Sequence, residues 1–395
     1  MARTRKKIRL KILSSAILVL LLTVVGFGLG VTWANYRLAK VENADGISAQ
    51  ALKLMLIRKN FTLINVHTPY AGEIPNTDSF IAFDQIVANS ENLPKDKNTP
   101  IVLYCETGRM SSQALATLKK LGYTNVKQLT GGMEAWKKAG GKLLDLSKLE
   151  DQVVPAGGAA LPVSWAELGP KLVSLGIIDL TKFKQAVNPA PEQEQILTKG
   201  SDDSIKIDKT NVQFIVDVLW ALGLAQKSVV YDQGPMGTTQ KANAANFAST
   251  GGWTLAAGSA MDYYNRFDLI PLTPDQQKRV AEISQNVYRP CCGNSTYFPD
   301  CNHGMAALAI IELMVSKNLD DAAIYKYLLA FNSYWFPDTY MKTAVYFARL
   351  GIAWKDVDAK RVMGAEFSSG QGAADIAKKI GSLPWQPQTG GGCGA

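Results

Sequence analysis

The spacing of hydrophobic positions changes twice along the chain. Residues 12–33 form an almost unbroken apolar run. Residues 45–142 combine short apolar runs, typical of buried strands, with segments whose apolar positions recur at helical spacing. Residues 162–389 mostly have the helical spacing alone. The pattern predicts a transmembrane helix, then an α/β domain in which helices flank the strands, and then a mainly α-helical domain.

The first apolar run has the length of a membrane span. As a helix, residues 12–33 cover about 33 Å, which is enough to cross a bilayer. Six basic residues precede the run: Arg3, Arg5, Lys6, Lys7, Arg9 and Lys11. Because basic residues stay on the cytoplasmic side, we expect residues 1–11 in the cytoplasm and the bulk of the chain in the periplasm or outside the cell. A signal peptide cleaved after Ala34 is the alternative.

The α/β region is organised around one cysteine. The apolar run 101–104 predicts a buried strand, and Cys105 follows it directly. A small polar loop then leads into a helical pattern that ends at Gly122. Loop amides and a helix N-terminus both attract anions. We therefore expect them to lower the pKa of the Cys105 thiol and to hold a thiolate or persulfide.

The residues around this cysteine resemble a rhodanese domain. The resemblance rests on the sequence from Tyr104 to Ser111, on Leu121-Gly122-Tyr123, on Gly131-Gly132-Met133 and on Ala135-Trp136. The earlier segments 63–69 and 72–75 fit the first half of such a domain more loosely. The resemblance covers residues 45–142 and implies a rhodanese-like parallel sheet.

The resemblance also implies sulfur transfer through a persulfide on Cys105, with no cofactor required. Arg109 would attract a small sulfur-containing anion, and a thiol protein is the expected acceptor. The anion would lie against the loop formed by Glu106, Thr107, Gly108, Met110 and Ser111. The alternative is a catalytically silent rhodanese scaffold, since Asn65 and His67 stand where the family usually carries aspartate and arginine.

A second group of reactive residues lies in the helical region. Cys291, Cys292, Cys301 and His303 fall within 13 residues of a loop rich in proline, glycine and asparagine. Thiolate and imidazole suit zinc, copper or iron, although adjacent cysteines do not match the common zinc-finger spacings. Three interpretations stay open: a metal site, a redox or sulfur-accepting thiol pair, and a structural disulfide.

The remaining segments complete the predicted organisation. Residues 34–44 are a tether, 143–161 an irregular linker and 390–395 a flexible tail. The tail carries Cys393, which is either a mobile exchanging thiol or incidental. The formal net charge of +8 comes largely from the N-terminal cluster. No basic stripe with interleaved aromatic residues follows it, so we expect membrane lipid and not nucleic acid as a partner.

Overall fold

The computed structural model describes residues 45–381 and residue 383. The predicted basic tail, transmembrane helix, tether and C-terminal tail with Cys393 lie outside these residues. Within the described part of the chain, no helix is both long and apolar enough to cross a membrane.

Strands occur in two groups along the chain. They are β1 (Gly46–Ile47), β2 (Thr62–Asn65), β3 (Ser79–Phe80), β4 (Ile101–Tyr104), β5 (Val126–Leu129), β6 (Ala159–Ala166) and β7 (Ser201–Ile207).

Helices follow throughout and dominate after residue 208. They are α1 (Ala49–Ile57), α2 (Arg109–Lys120), α3 (Gly132–Lys138), α4 (Glu150–Val153), α5 (Leu168–Ser174), α6 (Leu180–Val187), α7 (Pro191–Lys199), α8 (Val212–Ala225), α9 (Val229–Gln233), α10 (Pro274–Ser284), α11 (Asn302–Ser316), α12 (Asp321–Trp335), α13 (Pro337–Arg349), α14 (Ala359–Met363), α15 (Ala365–Ser368) and α16 (Gly370–Ile380). Short 3₁₀ turns cover Ser90–Asn92, Lys241–Asn246, Ala260–Asp262 and Trp354–Asp356.

The chain divides into two compact units. The described residues of the first are 45–67 and 95–141, and those of the second are 68–94, 142–381 and 383. Segment 68–94 therefore clusters with the later part of the chain, although residues on both sides of it belong to the first unit.

The first unit contains the parallel sheet that the rhodanese resemblance implied. Its strands lie in the order β1-β5-β4-β2, and the pairs β1–β5, β4–β5 and β2–β4 are all parallel. All four residues of β4 are buried, as expected for a strand covered on both faces. Asn65 pairs with Tyr104 at the ends of β2 and β4. The residues that follow these two strands, including His67 and Cys105, therefore lie at the same edge of the sheet.

The second unit is built around two buried helices. α8 and α11 have almost no exposed residues, as expected for helices that are apolar on all sides. They pack closely at Gly223, where a Cβ atom would overlap the carbonyl oxygen of Met305. Helix α10 begins after Thr273, whose hydroxyl accepts a hydrogen bond from the Gln276 amide at 3.3 Å.

The structure differs from the sequence expectation between residues 143 and 207. The expected irregular linker contains α4 and the beginning of β6. β6 pairs with β7 in an antiparallel ribbon inside the region that we predicted to be mostly helical. Leu161, Val163 and Trp165 are buried while their neighbours are more exposed, which is the two-residue period of a strand with one covered face.

Candidate functional site

Cys105 lies where strand β4 ends and the loop to α2 begins. Its residue is 1 % exposed. The loop turns at Gly108, whose φ of 101° is in the left-handed region that glycine adopts without strain. The helix then starts at Arg109. A thiol is thus placed at the carboxyl end of a parallel strand, next to a helix N-terminus, as we predicted.

Two backbone amides point at the sulfur. The Gly108 amide donates to Cys105 Sγ at 3.1 Å, and the Ser111 amide donates at 3.4 Å. The Ser111 hydroxyl oxygen lies 3.6 Å from the same sulfur. Amide groups aimed at one atom favour negative charge on it, because they compensate that charge without moving. The arrangement can therefore hold a thiolate or persulfide.

Polar contacts hold Ser111 itself in place. Its hydroxyl lies 2.8 Å from Gln128 Oε1 on β5 and 3.1 Å from the Gly108 carbonyl oxygen. Gln128 also bonds Ser112, the next residue of α2. We did not single out Gln128 from the sequence. Its position on β5 carries no local signal, since the contact depends on β5 lying beside β4.

The start of helix α3 supports the loop from behind. The Met133 amide donates to the Cys105 carbonyl at 2.8 Å, and the Glu134 amide donates to that of Glu106 at 3.0 Å. This close approach requires glycine at position 132, which has a φ of 56°. A Cβ atom there would overlap the Cys105 carbonyl oxygen. The paired glycines noted in the sequence thus act directly on the cysteine loop.

The other predicted loop residues differ in exposure. Thr107 and Arg109 are exposed, whereas Glu106 and Met110 are partly exposed. The Glu106 carboxylate lies 3.6 Å from Nε2 of His67, whose residue is 8 % exposed. Burial lowers the pKa of His67 below its usual 6.5, with the positive charge of Arg109 acting the same way and the charge of Glu106 opposing it. His67 is therefore a neutral neighbour of Glu106 at neutral pH, despite the short distance.

In the second unit, the three clustered cysteines come together in space. The Sγ atoms of Cys291, Cys292 and Cys301 all lie within 4.8 Å of one another. Those of Cys291 and Cys301 are 3.5 Å apart, and all three cysteines are free thiols. Each is partly exposed. The sequence placed them on one loop, but their convergence depends on how that loop folds.

A buried arginine organises this loop. Arg289 is fully buried, and its Nε donates to Cys301 Sγ at 3.1 Å. Its other nitrogens donate to the Asn294 and Phe298 carbonyls and to the Asp300 carboxylate. Hydrogen bonds from the other two thiols, followed by the charge of Arg289, lower the pKa of Cys301 well below its usual 9.0 although burial opposes them. The sequence did not single out Arg289, because nothing local distinguishes a buried arginine from an exposed one.

His303 takes a different position from the three sulfurs. Its ring packs against Trp335 and Phe336, with ring centres 5.5 and 4.6 Å apart. Burial lowers its pKa to about 4, so the ring is neutral at physiological pH. Among the described residues, the group of potential ligands within 4.8 Å of one another contains the three cysteines without His303. The structure therefore brings three potential sulfur ligands together, whereas the His303 imidazole packs against aromatic rings.

The similarities to known proteins cover the part of the chain that contains Cys105. The rhodanese-like domain family matches residues 48–139. A protein called Probable adenylyltransferase/sulfurtransferase MoeZ, from Mycobacterium tuberculosis, is 36 % identical over 84 residues, which are 20 % of this chain and 21 % of that protein. This chain thus spans about a fifth of that relative's length.

Two further similarities cover most of the other protein. A protein named Sulfurtransferase from Allochromatium vinosum is 35 % identical over 81 residues, which are 20 % of this chain and 73 % of that protein. The crystal structure of a rhodanese-like domain protein from Staphylococcus aureus is 28 % identical and covers 26 % of this chain and 99 % of that one, with a TM-score of 0.23. Through residues 48–139, the chain belongs to the rhodanese-like family.

Proposed function

We propose that the chain is a sulfurtransferase or sulfur carrier that uses a persulfide on Cys105. The proposal rests on the amides of Gly108 and Ser111, which both donate to the Cys105 sulfur. Membership of the rhodanese-like family supports it, and so do the relatives named as sulfurtransferases.

The proposed reaction has two steps. The Cys105 thiolate attacks the outer sulfur of thiosulfate, the S–S bond of the donor breaks, and sulfite leaves with the electron pair. A thiolate acceptor then attacks the terminal sulfur of the persulfide and releases the Cys105 thiolate. A persulfide donor reacts in the same way and leaves as a thiolate. Arg109, which is exposed at the start of α2, attracts the anionic donor.

A membrane anchor is part of the proposal. The apolar run 12–33 behind six basic residues supports a single span with the N-terminus in the cytoplasm. The sulfur chemistry would then take place in the periplasm or outside the cell.

A non-catalytic scaffold is the second candidate, and the burial of Cys105 favours it. Because Cys105 is only 1 % exposed, a dissolved sulfur donor reaches its sulfur atom poorly unless the surrounding residues move. Here the rhodanese-like unit would bind a partner, and the chemistry of the chain would reside at Cys291, Cys292 and Cys301.

Mass spectrometry of the full-length chain separates the two candidates. The reduced protein, purified in mild detergent, is incubated with thiosulfate or glutathione persulfide, and its peptides are then analysed. The sulfurtransferase proposal predicts the mass of one extra sulfur atom on Cys105 and thiocyanate release when cyanide is added. Cys105→Ser should reduce thiocyanate formation to the rate without protein, whereas Cys292→Ser is the matched thiol control. A chain that carries no sulfur adduct on Cys105 with either donor is a scaffold.

A further inference from the structure

The loop that carries Cys291, Cys292 and Cys301 has three neighbouring sulfur atoms, one more than a disulfide contains. A disulfide joins two sulfurs at about 2.05 Å, whereas Cys291 and Cys301 are 3.5 Å apart and Cys292 lies within 4.8 Å of both. Four ligands around zinc, each with a Zn–S length of about 2.3 Å, place neighbouring sulfurs about 3.8 Å apart. The observed spacing is close to that of thiolates around one ion.

We propose that Cys291, Cys292 and Cys301 bind one thiophilic divalent cation with the chemistry of Zn²⁺. Three protein ligands leave the fourth position of a tetrahedral ion to water or an added ligand, as in sites that do chemistry. The proposal is independent of sulfur transfer at Cys105, since none of its ligands belongs to that site.

The backbone of the loop is held in the conformation that brings the adjacent cysteines together. The Cys292 amide donates to the Arg289 carbonyl at 3.3 Å, which closes a tight turn. The Gly370 amide, at the start of α16, donates to the Cys292 carbonyl at 2.7 Å. Adjacent cysteines rarely bind one ion because the backbone between them must bend. Here that bend is already built into the fold.

The charges around the sulfurs favour a divalent ion. Metal binding would convert the three thiols to thiolates, which together with the Asp300 carboxylate carry four negative charges, and Arg289 supplies one positive charge. The fully ionised loop therefore has a net charge of −3. A monovalent ion leaves −2, whereas a divalent ion leaves −1. Because partly buried charge is costly without compensation, the divalent ion fits better.

Arg289 acts on the site from behind the ligands. Its Nε hydrogen bond orients Cys301 Sγ, and its NH2 group bonds Asp300, which also accepts from the Asn294 amide group at 2.7 Å. Such outer contacts hold metal ligands in position. The guanidinium fits there because residue 304 is glycine, where a Cβ atom would lie 2.6 Å from Arg289 Cζ. Arg289 thus links the cysteine loop to the first turn of α11.

Cobalt binding to the full-length chain tests the proposal. The protein is reduced, freed of metal under anaerobic conditions and titrated with Co²⁺, and Zn²⁺ is then added as competitor. We expect one Co²⁺ per chain, a sulfur-to-cobalt charge-transfer band in the near ultraviolet, and displacement by one equivalent of Zn²⁺. Cys105→Ser, which changes a cysteine outside the cluster, should leave the titration unchanged.

Cys292→Ser is the decisive variant. Cys292 contacts the Asn294 carbonyl oxygen at 3.8 Å and the two neighbouring thiols, whereas Cys301 also bonds the buried Arg289. Loss of Cys292 should therefore disturb folding less than loss of Cys301. The proposal predicts about one third less charge-transfer intensity and an affinity at least about 100-fold weaker, more than outer-contact changes usually cost. A reduced wild-type chain without a charge-transfer band overturns the proposal. So does a Cys292→Ser chain that binds cobalt as the wild type does, which would leave a Cys291–Cys301 dithiol.

Discussion

At the residue scale, the second unit contains an acidic side chain that is buried without an ion-pair partner among the described residues. Glu312 lies in the buried helix α11 with 0 % exposure. Neither of its carboxylate oxygens has a hydrogen-bond partner in the described structure. Burial raises the pKa of Glu312 well above 4.5, and the nearby Ser228 hydroxyl offsets this effect only in part. The folded protein therefore disfavours the carboxylate form of this residue.

This burial predicts a pH-dependent effect of Glu312→Gln on stability. Below pH 4.5 Glu312 is protonated in both the folded and the unfolded chain, so its ionisation does not change stability. As the pH rises above 4.5, the unfolded chain ionises while the folded chain resists, so stability is lost until the pH passes the folded pKa. Glu312→Gln should thus gain free energy of unfolding over the wild type between pH 5 and pH 8.

Urea unfolding at several pH values measures this gain. Glu282→Gln is the control, because that side chain is 63 % exposed and should give the same small difference at every pH. A Glu312→Gln chain that is no more stable at pH 8 than at pH 5, relative to the wild type, would show that the carboxyl group is compensated.

At the element scale, a buried ion pair joins the segment before β3 to the end of helix α13. Arg349 is the last residue of α13 and bonds both carboxylate oxygens of Glu73 at 2.8 Å. Its third nitrogen group donates to the Asp78 carbonyl, also at 2.8 Å. Glu73 is 0 % and Arg349 is 5 % exposed. The two residues are 276 positions apart, so the contact holds the early segment 68–94 in the second unit.

Breaking this pair should destabilise the fold strongly. Glu73→Gln leaves a buried guanidinium without its counter-charge, and we expect the free energy of unfolding to fall by about 3–5 kcal/mol. Glu366→Gln removes a similar two-bond contact with Arg361, but both side chains are more than half exposed. That control should change stability by less than about 1 kcal/mol. Urea unfolding measures both variants. Equal losses of free energy of unfolding would mean that the buried pair contributes no more to stability than the exposed pair.

At the scale of the whole molecule, the order of the chain and its compact units do not coincide. The chain leaves the first unit after residue 67, contributes residues 68–94 to the second, and returns for residues 95–141. The rhodanese-like match at residues 48–139 therefore spans parts of both units. Removing residues 142–395 would take away the rest of the unit to which segment 68–94 belongs. Both sites are therefore best tested in the full chain.

Membrane attachment is also a property of the whole molecule. We expect the full-length protein to sediment with membranes and to resist alkaline extraction. Alkali disrupts electrostatic contacts with the membrane surface, but it does not release an apolar span from the bilayer. Deletion of residues 1–33 should move the protein to the soluble fraction. Cell fractionation followed by N-terminal analysis measures both. A full-length chain in the soluble fraction contradicts the anchor, and a chain that begins at residue 35 identifies a cleaved signal peptide.

Part of the fold could be predicted because the responsible signals are local. The run 101–104 before Cys105 predicted β4, and Gly122 marked the end of the following helix. The cap at Thr273 also depends on local sequence, since the capping contact spans only three residues. The alternation of Leu161, Val163 and Trp165 is equally local, but the helical spacing of the surrounding residues obscures it. β7 was harder to predict, because its first four residues, Ser201–Ser204, are polar and include two aspartates, and because it is completed by pairing with β6.

The sequence by itself determined which residues carry the candidate chemistry, because a cysteine between a strand and a helix and three cysteines on one short loop can be read directly from it. Tertiary structure decided what each of these sulfurs contacts. Two amides meet Cys105 because Gly108 turns the loop and Gly132 lets α3 approach it. Arg289 meets Cys301, and His303 turns to aromatic rings, because burial and charge compensation act between residues that are neighbours only after folding.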